Sequence, residues 1–129
     1  MTTTPRQLCV PQTAFGRSPN ARFRTGDGDG RQITPALTAA VVQHRLAILL
    51  RQQIAECDQL QDDYARIAQM TPNRLSQILG GHKQIRFTEL AVLCKTLGPT
   101  FTAAIDARSW VQTALQPTES AAKIVPLTD

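Results

Sequence analysis

No apolar run in this 129-residue sequence exceeds five residues, the length of Leu46–Leu50. A membrane-spanning helix needs about 18 or more, so no bilayer-crossing segment and no membrane partner are expected. The opening MTTTPRQLCVPQTAFG lacks the apolar stretch of a secretory signal, which argues against export by that route. Cysteine is scarce: Cys9, Cys57 and Cys94 are widely spaced, odd in number and form no C-x-x-C. That usage suits a reducing cytoplasm, and the places of Cys57 and Cys94 on apolar stripes predict buried thiols. Neither the cysteines nor His44 and His82 show the ligand-pair spacing of a zinc site. Asp27-Gly28-Asp29-Gly30 starts like a calcium loop, but Arg31 and Thr38 stand where acidic ligands are required. The same glycines miss G-x-G-x-x-G because Arg31 takes the sixth place. No Ser, His and Asp arrangement has a recognisable setting. The expectation is a protein without catalytic residues, metal or cofactor.

What is present is an ordinary globular mixture, 42% hydrophobic and 19% charged, in a chain the size of one domain. A net charge of +4 and a pI near 9.4 favour polyanionic partners. Charge divides the chain into three parts. Residues 1–33 carry +3 through Arg6, Arg17, Arg22, Arg24 and Arg31, and their prolines and glycines break any period, which reads as a flexible basic arm. Arginines in such an arm can bind phosphates through counterion release. Residues 34–98 carry +2 and hold only Pro35 and Pro72, so they form the folded core. Residues 99–129 carry −1 and form a C-terminal extension with a tail of no clear period.

Within the core, Thr34-Pro35 is an N-cap followed by proline at the first helical position. The long helix it opens carries Val42, Leu46, Leu49, Leu50, Ile54 and Cys57 as one stripe. Asp62 and Asp63 mark the first turn of a second helix whose buried side is Tyr64, Ala65, Ile67 and Ala68. Thr71-Pro72 repeats the start signal and Gly80-Gly81 supplies a stop, which bounds an eight-residue helix Pro72–Leu79. A fourth helix carries Phe87, Leu90, Cys94 and Leu97 and ends at Gly98-Pro99. The expectation is an all-α, compact four- to five-helix bundle. On the eight-residue helix Leu75, Ile78 and Leu79 point one way, and Asn73, Arg74 and Gln77 another. Arg matches guanine edges and Asn or Gln matches adenine, and a helix fits the major groove.

The stretch QDDYARIAQMTPNRLSQILGGHKQIRFTELAVLCKTLG, Gln61 to Gly98, resembles the helix-turn-helix core of the Cro and CI repressor family, also called the XRE family. Ala65, Met70, Thr71, Leu75, Ile78, Gly81 and Leu97-Gly98 fall at the family's characteristic places, and the likeness covers roughly Pro35 to Gly98. The resemblance implies a lambda-repressor-like fold. It further implies that Gln61 reaches a phosphate or supports a base-reading side chain. Thr71, Pro72, Asn73, Arg74 and Gln77 would face bases and flanking phosphates, and His82, Lys83 and Arg86 would run beside the DNA backbone. Two positions depart from the pattern: Gln69 replaces the usual turn glycine, which demands an uncomfortable backbone or a slightly different turn, and Leu60 replaces a Ser or Thr cap, so that the second helix either starts at Asp58 or has no good cap.

One such helix reads only about four base pairs, so a homodimer on an inverted repeat is expected. Phe101, Ile105, Trp110, Val111 and Leu115 are the material for its interface, or else a lid over the same chain's core. Phe101–Ile105 could form a strand and Ser109–Leu115 a helix. The leading function is a sequence-specific repressor acting on double-stranded DNA. An antitoxin that binds DNA and grips a toxin protein, and a bundle used for protein interaction alone, are the alternatives.

Overall fold

The computed structural model describes residues 4–24, 34–57 and 60–115, with side chains as far as Gln112. Two short 3-10 turns (Pro5–Leu8, Gln12–Ala14) and two strands, β1 (Cys9–Val10) and β2 (Arg22–Phe23), precede five helices. These are α1 (Pro35–Glu56), α2 (Gln61–Ile67), α3 (Pro72–Leu79), α4 (Phe87–Ala104) and α5 (Ala107–Leu115). The class is therefore all-α, with one small antiparallel sheet in which Cys9 pairs with Phe23 and Val10 with Arg22. Among the described residues no helix is long and apolar enough to cross a membrane.

Helix α1 starts as the sequence predicts: Thr34 Oγ1 accepts from the Leu37 N–H at 3.1 Å and Pro35 takes the first position. Its burial is broader than the expected stripe. Leu46 and Leu50 are buried, but so are Leu37, Ala40, Val41, Ala47, Ile48 and the polar Gln43 and His44, while Val42, Leu49 and Ile54 are half-buried and Cys57 is exposed. A helix buried on several faces is a central helix. The turn Pro5–Leu8, α3 and α5 all pack against α1.

The flexible arm is corrected over residues 4–24. Cys9, Phe15 and Phe23 are in the hydrophobic core with α1 and α3, and Pro5 is buried as well. Burial of these side chains, together with the bonds of Arg6 to the Gly80 carbonyl and of the Gly16 N–H to His44, opposes the entropy of ordering an irregular segment. Residues 1–3 and 25–33, including Arg31 and the calcium-like run, lie outside the described residues, as does the tail from 116 onward.

Helix α2 begins at Gln61 with Leu60 as N-cap and no side-chain cap bond, so the missing hydroxyl has its expected effect. Tyr64, Ala65 and Ala68 are buried, but Ile67 is exposed, contrary to its assignment to the buried side. The helix closes in a Schellman motif: the Met70 N–H bonds the Ala65 carbonyl at 2.8 Å and the Gln69 N–H bonds that of Arg66 at 3.0 Å. The motif needs a left-handed residue, and Gln69 adopts φ 62°. An L-residue there costs roughly 1–2 kcal/mol that glycine avoids. Gln69→Gly should therefore stabilise the protein by about 1 kcal/mol, net of the entropy a glycine adds to the unfolded chain. Thermal unfolding checks it, as a rise of several degrees in midpoint.

The first helical stretch of α4 ends at Gly98-Pro99, as the sequence predicts, but the chain does not leave helix there. Gly98 takes φ 85°, ψ −173°, and a second helical stretch runs from Pro99 to Ala104. The expected strand Phe101–Ile105 is thus helix as far as Ala104, because proline's fixed φ restarts a helix as readily as it stops one. Leu93, not the expected line through Phe87, is the deeply buried residue of the first stretch. Leu90, Cys94 and Leu97 are half-buried and Phe87 is 82% exposed. Past the corner, Phe101 and Trp110 are buried in the same core as α1, with Ile105 and Val111 packed against it. The Arg45 guanidinium lies 5.9 Å from the Trp110 ring centroid. Of the two uses for these residues, the lid over their own chain is the one observed. The Leu115 side chain lies outside the described residues. Cys9 is the buried thiol, whereas Cys57 is exposed and Cys94 half-buried, which corrects the expected pair.

Candidate nucleic-acid interface

Helix α3 has the bounds its sequence dictates. Thr71 Oγ1 accepts from the Arg74 N–H at 3.0 Å, and Pro72 opens the helix. At the other end a second Schellman motif forms, with the His82 N–H on the Gln77 carbonyl at 2.9 Å and the Gly81 N–H on that of Ile78 at 3.2 Å. Gly81 carries the required positive φ of 76°, and a Cβ there would lie 2.7 Å from the Phe15 ring, so both backbone and space reserve the place for glycine. Leu75, Ile78 and Leu79 are buried. The opposite face presents Thr71, Pro72, Asn73 and Ser76 to solvent, with Gln77 half-buried beside them. At the start of α2, Gln61 is half-buried, and in the loop after α3 His82, Lys83 and Arg86 are exposed.

Arg74 is the predicted site residue that the structure removes from this face. Its Nε donates to Glu89 Oε2 at 2.7 Å, and its Nη2 donates to Glu89 Oε1 at 2.9 Å and to the Gln84 carbonyl at 3.0 Å. Both side chains are largely buried, at 19% and 13% exposure. Hydrogen bonding to Arg74 holds the Glu89 carboxyl below its ordinary range, and the same bond raises the Arg74 guanidinium. Glu89 Oε1 also accepts from the Arg86 N–H at 2.7 Å. The pair ties α3, the basic loop and the first turn of α4 together, and a guanidinium committed to a bidentate carboxylate is not available to a guanine. Fifteen residues separate the partners along the chain, so a helical projection of α3 alone could not show it. Ser76 is what that projection left out: it stands three residues after Asn73 on the exposed side.

Gln43 is a second residue the sequence argument missed. From α1 its Nε2 donates to the carbonyls of Ile78 and Lys83, both at 2.9 Å, and its Oε1 accepts from the Ile85 N–H at 2.8 Å. One buried carboxamide thus fixes the last turn of α3 and the path of the loop bearing Lys83. The available signal was its spacing, three after Ala40 and three before Leu46, which puts a polar residue in line with buried ones.

The N-terminal segment reaches the same end of α3. Arg6 Nη1 donates to the Gly80 carbonyl at 3.0 Å and the Arg6 N–H to that of Gly81 at 2.9 Å. Among the described residues no cluster of His, Cys, Asp and Glu could hold a metal ion. The chain matches no family model, and neither a curated protein nor a solved structure is detectably similar to it.

Proposed function

We propose that α2, the turn at Gln69 and α3 form a helix-turn-helix of the Cro and CI repressor type, and that the protein is a sequence-specific DNA-binding regulator, acting as a repressor. One observation carries this reading: a rigid eight-residue helix, capped at both ends, exposes Thr71, Pro72 and Asn73 at its N-terminal end and leads directly into an exposed loop bearing His82, Lys83 and Arg86. In this arrangement Asn73 reads bases, Gln77 supports it from the next turn, and the loop cations with Gln61 follow the phosphates. Arg74 is assigned to the scaffold. Such a helix reads about four base pairs, so we further propose that two copies bind an inverted repeat with their helices about 34 Å apart. The apolar residues after Gly98 that an antitoxin would offer a toxin are largely packed inside the chain, and no observation favours that second reading.

Selection of bound fragments from random duplex DNA tests the proposal, since enriched fragments should be symmetric. On the selected fragment Asn73→Ala should lose about 1–3 kcal/mol of binding and little on random DNA. Arg74→Ala should instead weaken both to a similar extent and lower folding stability, because it breaks the bridge to Glu89. A loss confined to the selected fragment for Arg74→Ala would return that residue to the reading face. Absence of any salt-sensitive DNA binding by the wild-type protein would overturn the proposal.

A further inference from the structure

The orientation of α3 is set partly by a segment to which DNA reading assigns no task. Three groups from it meet three consecutive residues at the end of α3. Gly16 abuts the Leu79 carbonyl, the Arg6 side chain takes the Gly80 carbonyl, and the Arg6 N–H takes that of Gly81 beneath the Phe15 ring. The segment is anchored in turn to α1, where the Gly16 N–H donates to His44 Nδ1 at 2.8 Å. Arg6 is half-buried, and its guanidinium sits at the negative end of the α3 dipole, where a cation is favoured. Two of its donors, Nη1 and the backbone N–H, are therefore directed at Gly80 and Gly81, just before the basic loop begins at His82.

We propose that Arg6 is a positioning residue for DNA recognition: it acts on the duplex through α3 and the start of the 82–86 loop, not by touching phosphate. This rests on the reading of α3 as the helix that enters the groove. Arg6 shares with Gln43 the hold on the far end of this rod of about 12 Å, so losing its bonds shifts the rod's end, and small misplacements of a reading group cost much of its contact.

The test uses the full chain, a selected symmetric fragment and a random duplex of equal length, titrated over a range of KCl concentrations. Arg6→Ala should bind the selected fragment about five- to tenfold more weakly while binding random duplex as before, with an unchanged slope of log affinity against log salt. Arg6→Lys should recover part of the loss, since its ammonium can still donate to the Gly80 carbonyl. In the free protein, amide exchange at His82 and Lys83 should quicken in Arg6→Ala and not in Arg6→Lys. A slope reduced by about 0.9, with equal losses on both duplexes, would mean direct phosphate contact and would overturn the inference. Unchanged affinity for the selected fragment, or unchanged exchange, overturns it as well. If the wild-type protein binds neither duplex, the parent reading fails first and takes this one with it.

Discussion

Gln43→Ala should lower the unfolding free energy by about 3 kcal/mol or more, as measured by urea denaturation. The substitution strips the Gln43 partner from the Lys83 carbonyl and the Ile85 N–H in a part-buried setting, each costing roughly 1–3 kcal/mol if left unsatisfied, and removes one of the two donors to the buried Ile78 carbonyl, which keeps the Gly81 N–H. Water entering the vacated space would recover part of this. The loss should be local as well as global, so the Ile85 amide should exchange faster than the amides of α2. A decrease below about 1 kcal/mol would show that backbone geometry alone holds the loop after α3.

The second large effect follows from His44. Its ring is almost wholly buried, with centroids 5.4 Å from Phe15 and 5.2 Å from Phe23. Burial lowers its pKa from the ordinary 6.5 to about 4, against a raising influence of the Ser18 backbone and with help from the Arg45 charge. Nδ1 accepts the Gly16 N–H, so the folded state needs the neutral imidazole. The unfolded chain takes up a proton near pH 6.5 and the folded chain only near pH 4, so stability present above pH 6.5 drains away as the pH falls to about 4. The loss is at most about 3 kcal/mol across that window. Glu89 titrates in a separate, more acidic range, since its depressed pKa keeps its contribution until the pH falls below the ordinary carboxyl value of 4.5. His44→Asn, whose amide oxygen can accept the Gly16 N–H without titrating, should flatten the pH 4 to 6.5 portion of the stability curve. An identical curve for the two proteins would assign the acid sensitivity to other groups.

What the sequence shows and what it hides divide along the range of the interactions. The ends of α3 were legible because caps, proline and paired glycines act within four or five residues, and the φ of Gln69 was legible for the same reason. The start of α1 and the place of α5 were equally local. The N-terminal segment was not legible: two-residue strands and single 3-10 turns have no period to detect, and what orders them is burial against a helix that begins twelve residues beyond Phe23. The bridge from Arg74 to Glu89 and the bonds of Gln43 connect residues far apart in the chain, and the residue types at their ends also suit solvent. Ile67 and Phe87 show the opposite failure, since helical spacing predicts burial for both apolar side chains and the fold leaves both exposed. The bounds of α3, Pro72–Leu79, are therefore legible in the sequence, whereas the place of the Arg74 side chain is not, because its bridge to Glu89 depends on tertiary structure.

The grip of Arg6 on Gly80 spans 74 positions of sequence. During translation, Cys9, Phe15 and Phe23 leave the ribosome long before the surface that shelters them has been made. Phe15 and Phe23 can meet His44 once α1 has emerged, but the part of their covering that comes from Leu79 to Gly81 follows only later. The nascent protein is thus most exposed to aggregation before that stretch is made, and its consolidation closes the largest loops in the molecule's described hydrogen-bond network, from Arg6 to Gly80 and Gly81.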